Sequence, residues 1–284
     1  NDFVSAHAFN RVSFYGSRGA LVEAINIFGG PRRLWHYARF LGDAIEGEES
    51  VETNMSLRGG WRVGAHAEHA FVDFESGDYT GYQTDVGGTL VSYTPLPGVT
   101  DGFALNAEIS TPTYRFLDAS LFASRARGPI FPEGSRGYET RIAGELSVRP
   151  TGSVRIVGSN TFSRITRDRD GAEFARTIIP RLKVEYQPLR SLFFRAIGEY
   201  VAQRRSALED ARTGATLVIG GVPSAPQESN SFRVDLLASF EPAPGTVAFL
   251  GYGSTLRDTR AFAFSRTERQ SDGFFVKLAY LIRR

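Results

Sequence analysis

The side chains best suited to bind a metal or to move a proton near neutral pH are His36, His66 and His69. His66 and His69 are three positions apart, which on a β-strand puts them on opposite faces, where they do not chelate together. His66 shares its face with Arg62 and Glu68, which suits a polar residue in a hydrated interior. Asp168-Arg169-Asp170-Gly171 opens like a calcium loop, but the remaining ligands and the distal glutamate do not follow. Asp and Gly serve a turn between strands equally well. No serine stands in a nucleophile motif, and a Ser-His pair would need both residues at one level of one face. The chain has no cysteine, which removes disulfides and thiolate sites. The sequence therefore predicts no catalytic residue, no metal site and no cofactor.

The charged residues instead follow a period of two. In 138–149, Tyr138, Ile142, Leu146 and Val148 alternate with Glu139, Arg141, Glu145 and Arg149. In 174–187, Ile178, Leu182, Val184 and Tyr186 alternate with Arg181, Lys183 and Glu185. In 192–205, Leu192, Phe194, Ala196 and Tyr200 oppose Arg195, Glu199 and Gln203. In 232–241, Phe232, Val234, Leu236, Ala238 and Phe240 oppose Arg233, Asp235, Ser239 and Glu241. Segments 49–58 and 103–111 repeat this, with Glu52, Asn54, Ser56, Asn106, Glu108 and Ser110 on the polar side.

Elements of this length are too long for a soluble sandwich, whose strands run about five or six residues. They suit a membrane-crossing strand of about 9–11 tilted residues. Strands are expected near 3–16, 20–29, 32–41, 47–58, 60–74, 101–111, 113–126, 137–149, 152–167, 173–187, 191–205, 229–241, 246–258 and 272–283. That is an antiparallel transmembrane β-barrel of about 14 strands, range about 12–16, forming one domain over residues 1–284. An even count puts both ends on the short-turn side. Links near Gly29–Pro31, 58–60, 111–112, 150–152, 188–190 and 242–245 are short. Between them come longer stretches at 75–101, 127–136, 206–229 and 259–272, and short turns alternating with long loops are a barrel trait.

In lipid the apolar face points outward and the charges inward, so Arg141, Glu145, Arg181, Lys183, Glu185, Arg195, Glu199, Arg233 and Asp235 are expected to face the lumen. Tyr138, Phe174, Tyr186, Phe232, Phe240 and Tyr280, near strand ends, would form interfacial girdles. Mean hydropathy is −0.20 and net charge +2. No apolar stretch reaches the roughly 18 residues of a transmembrane helix, and the balanced charge gives no field for nucleic acid. The chain opens at Asn1 without a methionine, as a processed or trimmed protein would. In 206–229, the run Ala215-Thr-Leu-Val-Ile219 is costly to leave in water and is expected to fold over or into the barrel mouth.

The C-terminal residues Gly273, Phe274, Val276, Leu278, Tyr280 and Ile282 resemble the signal that outer-membrane barrels present to their insertion machinery, although Arg284 stands where a terminal aromatic is usual. Phe249-Leu-Gly-Tyr-Gly253, Ser271–Arg283 and Asp78-Tyr-Thr-Gly-Tyr82 resemble the C-terminal barrel of a family of unknown function. In that family the barrel follows a carbohydrate-binding-module-like domain. The resemblance implies a bacterial outer-membrane location and no active site. Two functions are expected. One is a passive or gated pore for small solutes. The other is a structural or docking barrel that anchors a periplasmic domain or partner complex and conducts little. An outer-membrane enzyme is a minor third. Implied partners are outer-membrane lipid and the insertion machinery.

Overall fold

The computed structural model describes residues 2–258, 260, 262 and 267–280. Phe3–His7 (β1), Asn10–Tyr15 (β2), Val22–His36 (β3), Glu46–Leu57 (β4) and Trp61–Asp73 (β5) open the chain. Tyr82–Val86 (β6) and Thr89–Ser92 (β7) form a hairpin before Gly98–Ser110 (β8), Leu117–Ile130 (β9), Ser135–Thr151 (β10) and Val154–Arg167 (β11). Glu173–Leu189 (β12) and Leu192–Arg205 (β13) precede the two short strands Val218–Ile219 (β14) and Val222–Pro223 (β15). Gln227–Ala243 (β16), Thr246–Asp258 (β17) and Glu268–Tyr280 (β18) end it. Among the described residues there is no α-helix, only short 3-10 turns.

The long strands build one 14-stranded antiparallel sheet in the order β1-β3-β4-β5-β8-β9-β10-β11-β12-β13-β16-β17-β18, with β2 also on β3. Each long strand from β3 onward pairs with the next long strand in the chain, so the sheet is an up-and-down meander. Among the described residues no pairing joins β18 to β1, so the sheet is open there.

The start of the sheet departs from the sequence expectation. Gly29–Pro31 is not a turn: Val22–His36 runs through it as one strand, and the expected strands at 20–29 and 32–41 are a single element. The interruption falls on the partner instead, where β1 pairs with Arg32–His36 and β2 with Ala24–Gly29. The carbonyl of Pro31 still accepts from the Ala8 N–H at 3.0 Å, so proline's missing donor costs the ladder little. Gly30 has φ of +156°, and a Cβ there would stand 2.2 Å from the Ala8 carbonyl oxygen. Glycine at this position lets the chains approach; it does not end the strand.

The merger changes the parity. The first strand, read through β1 and β2, and the last strand, β18, both run from the long-loop end of the sheet toward the short-turn end. The first strand therefore begins at the loop end, not at the turn end as the even count required. The long end carries connections 37–45, 74–97, 131–134, 168–172 and 206–226. The expected loop at 127–136 shrinks to 131–134, because β9 and β10 extend to 14 and 17 residues.

The packed core does not lie under the sheet. It lies among the loops at the long end, where Phe74, Tyr79, Tyr93, Val99, Ile130, Phe174, Leu208 and Leu217 are buried together. A second sheet, in the order β15-β14-β6-β7, frames this cap, with Val218 opposite Gln83 and Ile219 opposite Tyr82. Leu217 is 0% exposed, so the apolar run at 215–219 has found the neighbouring loop as its partner. Phe174, expected in an aromatic girdle, belongs to this core.

Candidate functional site

Register decides which charges meet. Arg181 stands opposite Glu199, and Glu199 opposite Arg233. Glu185 stands opposite Arg195 on one side and Arg155 on the other. Arg141 pairs across to Ser163 and Ser124, and Glu145 to Ser159 and Ser120. Because directly opposed residues share a face, Arg141, Glu145, Arg181, Lys183, Glu185, Arg195, Glu199, Arg233 and Asp235 all lie on one side of the sheet. Their ion pairs are open ones. Arg181 Nε lies 3.5 Å from Glu199 Oε2, Lys183 Nζ 3.2 Å from Glu185 Oε1, and Arg233 Nε 2.9 Å from Asp235 Oδ2. Half-exposed pairs of this kind contribute about 0–1 kcal/mol each, so they set the field of the surface more than its stability. Arg181, Arg195, Glu199, Arg233 and Asp235 line a groove of about 550 Å³.

The same register carries the polar face onto the first strands and gathers residues that single-strand reading left apart. Glu52 is opposite His66, His66 opposite Asn106, and Ser50 opposite Glu68. Glu52, His66 and Glu108 line a second hollow of about 200 Å³. The signal for these acids was present as alternation within each strand. Their association required the pairing, which the sequence does not spell out.

The three histidines part company. His66 Nε2 is 3.3 Å from Glu68 on the polar face, His69 Nδ1 is 3.1 Å from Glu49 on the other face, and His36 Nε2 is 3.2 Å from Glu75 at the loop end. Among the described residues no three metal-ligating side chains come together. Asp168 pairs with Arg127 at 2.8 Å and Arg136 at 3.3 Å. Asp170 pairs with Arg169 at 2.5 Å, and its other oxygen accepts the Ala172 N–H at 2.9 Å. These are the bonds of a turn, and they hold the Asp170 carboxyl below the usual aspartate range, Arg169 first and the Ala172 amide second.

The cap stands on the polar side of the sheet. Val72, Val99, Ile130, Ile165 and Ala175 are the sheet residues it packs against, and by register they share the face of the charged rows. A buried ion pair ties its loops together. Arg167 Nη2 reaches Glu133 Oε1 at 2.5 Å, with the two side chains 4% and 1% exposed. Ser135 Oγ and the Glu209 N–H also donate to Glu133, each at 3.0 Å. Arg169 adds Glu209 at 2.7 Å, and Arg212 donates to the Thr94 carbonyl at 2.6 Å. Tyr79 and Tyr93 donate to the carbonyls of Phe131 and Glu133 at 2.8 and 2.5 Å, and burial pushes both phenols up to about 12. Burial would also raise Asp210, but the amides of Arg212 and Thr213 and the Thr84 hydroxyl hold it below the ordinary range.

The opposite face is apolar over its middle. Near the loop end it carries Arg125, Arg164, Arg176 and Arg204, with Arg164 opposite Arg176 and Arg176 opposite Arg204. Like charges in register repel. Glu173 relieves the first contact, 2.9 Å from Arg164 and 2.5 Å from Arg176, and Glu228 lies 3.4 Å from Arg204. Near the turn end Tyr186 stacks on its cross-strand partner Phe194, centroids 6.4 Å apart. On β18, Phe274, Val276, Leu278 and Tyr280 share the apolar face and stay exposed, while Gly273 and Lys277 lie on the opposite face. Ile282 lies outside the described residues.

No family model matches the chain, and no curated protein does. Among solved structures, it is similar to OmpT (in-vitro folded, trimer form), an outer membrane protein of Vibrio cholerae, with 11% identity, TM-score 0.38 and 99% of each chain covered. A second structure of in-vitro folded OmpT from Vibrio cholerae aligns with 11% identity and TM-score 0.35 over 98% of this chain and 96% of that one.

Proposed function

We propose that the chain is a bacterial outer-membrane β-barrel whose polar face lines a pore for small solutes. One observation carries this reading: among the described residues the apolar face of the sheet has nothing packed on it. Leu105, Leu121, Leu146, Leu182, Leu236 and Leu250 are each between 46% and 55% exposed, while the buried core sits among the loops. A soluble monomer rarely exposes an apolar patch beyond a few hundred Å². Hydrocarbon resolves this, since each such side chain gains roughly 1.5–3 kcal/mol on leaving water. Antiparallel pairing satisfies the backbone of the strands between the two edges, and hydrocarbon would further demand that β1 and β18 be covered. In this reading the short turns are periplasmic and the cap is extracellular. The apolar row of β18 is what the insertion machinery would read.

The cap favours a second reading as well. It folds onto the polar side at the sheet's loop end, where it would narrow the mouth. A barrel closed in this way would conduct little and serve to anchor a periplasmic domain or a partner, as in the family whose barrel follows a carbohydrate-binding-module-like domain. Planar-bilayer recording separates the two. The pore reading expects discrete conductance steps from the whole chain and larger steps after deletion of residues 215–221. Silence from both, with both proteins shown to be inserted by heat-modifiable migration, would leave the docking role.

A further inference from the structure

The charges of the polar face are sorted by sign around the sheet. On β4, β5 and β8 that face carries Glu46, Glu48, Glu52, Glu68 and Glu108 against the single cation Arg62. On β11, β12, β13 and β16 it carries Arg155, Arg167, Arg181, Lys183, Arg195, Arg205 and Arg233 against Glu185, Glu199, Asp235 and Glu241. In the second group Glu199 is matched to Arg181, Glu185 to Lys183 and Asp235 to Arg233, and the cations still outnumber the carboxylates. In the first group Glu46 and Glu48 share Arg32 of β3, Glu68 has His66 at 3.3 Å, and among the described residues Glu52 accepts only from the Asn54 amide, at 2.9 Å. Among the described residues the carboxylates are thus in excess on one stretch of wall and the guanidiniums on the other. The two stretches are seven steps apart on the path of 13 strands, from β4 to β13 and from β5 to β16. Seven strands is about half the circumference once such a sheet curls into a barrel, which sets the two stretches face to face. Glu52, Glu68, Arg181 and Arg233 all lie in the middle of their strands, so the opposition falls at mid-height.

We propose that this lumen carries a transverse field and admits zwitterionic solutes, of the free α-amino acid class, in preference to uncharged solutes of equal size. The proposal rests on the pore reading. A solute with one charge meets attraction at one wall and repulsion at the other, so the two walls together give weak ion selectivity. A zwitterion places its ammonium toward Glu52 and Glu68 and its carboxylate toward Arg181 and Arg233, where guanidinium offers paired donors. Both of its charges are then met in a lumen that has shed part of their water. This explains why an interior with charges of both signs need not be an inert ion-pair filling: the signs are separated across the lumen rather than interleaved along it.

The test uses the whole chain in proteoliposomes, with zwitterionic glutamine and uncharged xylitol as probes. The parent should admit glutamine about threefold faster than xylitol, the scale of one exposed ion pair. Neutralising either wall, by E52Q/E68Q/E108Q or by R181Q/R195Q/R233Q, should bring that ratio to unity. The reversal potential in a KCl gradient should shift toward anions in the first variant and toward cations in the second. Heat-modifiable migration verifies folding, and the single variants E52Q and R233Q serve if a triple variant does not fold. Equal entry of both probes through a conducting parent overturns the proposal while leaving the pore intact, as does a preference for glutamine that survives loss of either wall. A parent that admits neither probe and shows no conductance overturns the pore reading itself, and this proposal with it.

Discussion

Leu236 and Ser239 are three residues apart on β16 and lie on opposite faces of the sheet, the first half-exposed on the apolar side. If that side meets lipid, Leu236→Arg should cost about 2–4 kcal/mol near the bilayer midplane, whereas Ser239→Arg adds one more cation to a polar lining and costs little. Urea titration of each reconstituted variant reads the difference, and equal costs would mean that the faces are misassigned. Glu133 makes a different demand. It is buried, and it accepts from Arg167, Ser135 and Glu209. Removing one partner of a buried pair leaves an uncompensated charge, about 3–5 kcal/mol of destabilisation. Glu133→Ala should therefore loosen the cap without unfolding the sheet, and residues 206–226 should become open to protease while heat-modifiable migration persists. Resistance equal to that of the parent would show that the pair does not hold the loops.

At the scale of elements, the long strands from β8 to β18 were legible because their alternation is clean, while the short β14 and β15 fell inside an expected loop. Arg181, Lys183 and Glu185 against Leu182 and Val184 leave no other period to choose, and the structure places β12 at Glu173–Leu189 around them. Strand ends were read two to four residues short where Gly128, Pro129, Ser135 and Arg136 looked like loop residues but lie in β9 and β10. The first strands were misread because Gly29-Gly30-Pro31 carries turn chemistry, and only the bulged partner at Ala8 shows why it sits inside a strand. The run at 215–219 announced its burial by composition. Its partner, the β6–β7 hairpin, could not be named, because that contact joins residues more than a hundred positions apart. The charged candidates were found strand by strand. The sorting of their signs was not, since it is a property of register across many strands. Glu133 and Arg167 escaped notice because neither belongs to an alternating run; each stands at the end of an element.

For the whole molecule, two features must be reconciled: an apolar face with nothing upon it and a sheet whose two edges run in the same direction. Direct closure of β1 on β18 would be a parallel pairing, while antiparallel closure requires an odd number of further strands between them. Either closure leaves the assignment of faces unchanged, because alternation fixes the faces within each strand. That assignment is the central claim. The absence of cysteine allows it to be tested with single nitroxide labels at introduced cysteines in bilayers. Labels at Leu182 and Leu236 should collide readily with oxygen and poorly with a water-soluble nickel chelate, and labels at Arg181 and Asp235 should show the reverse. Labels at Leu182 and Leu236 that neither reagent reaches would place those residues in a closed interior core and contradict the membrane barrel.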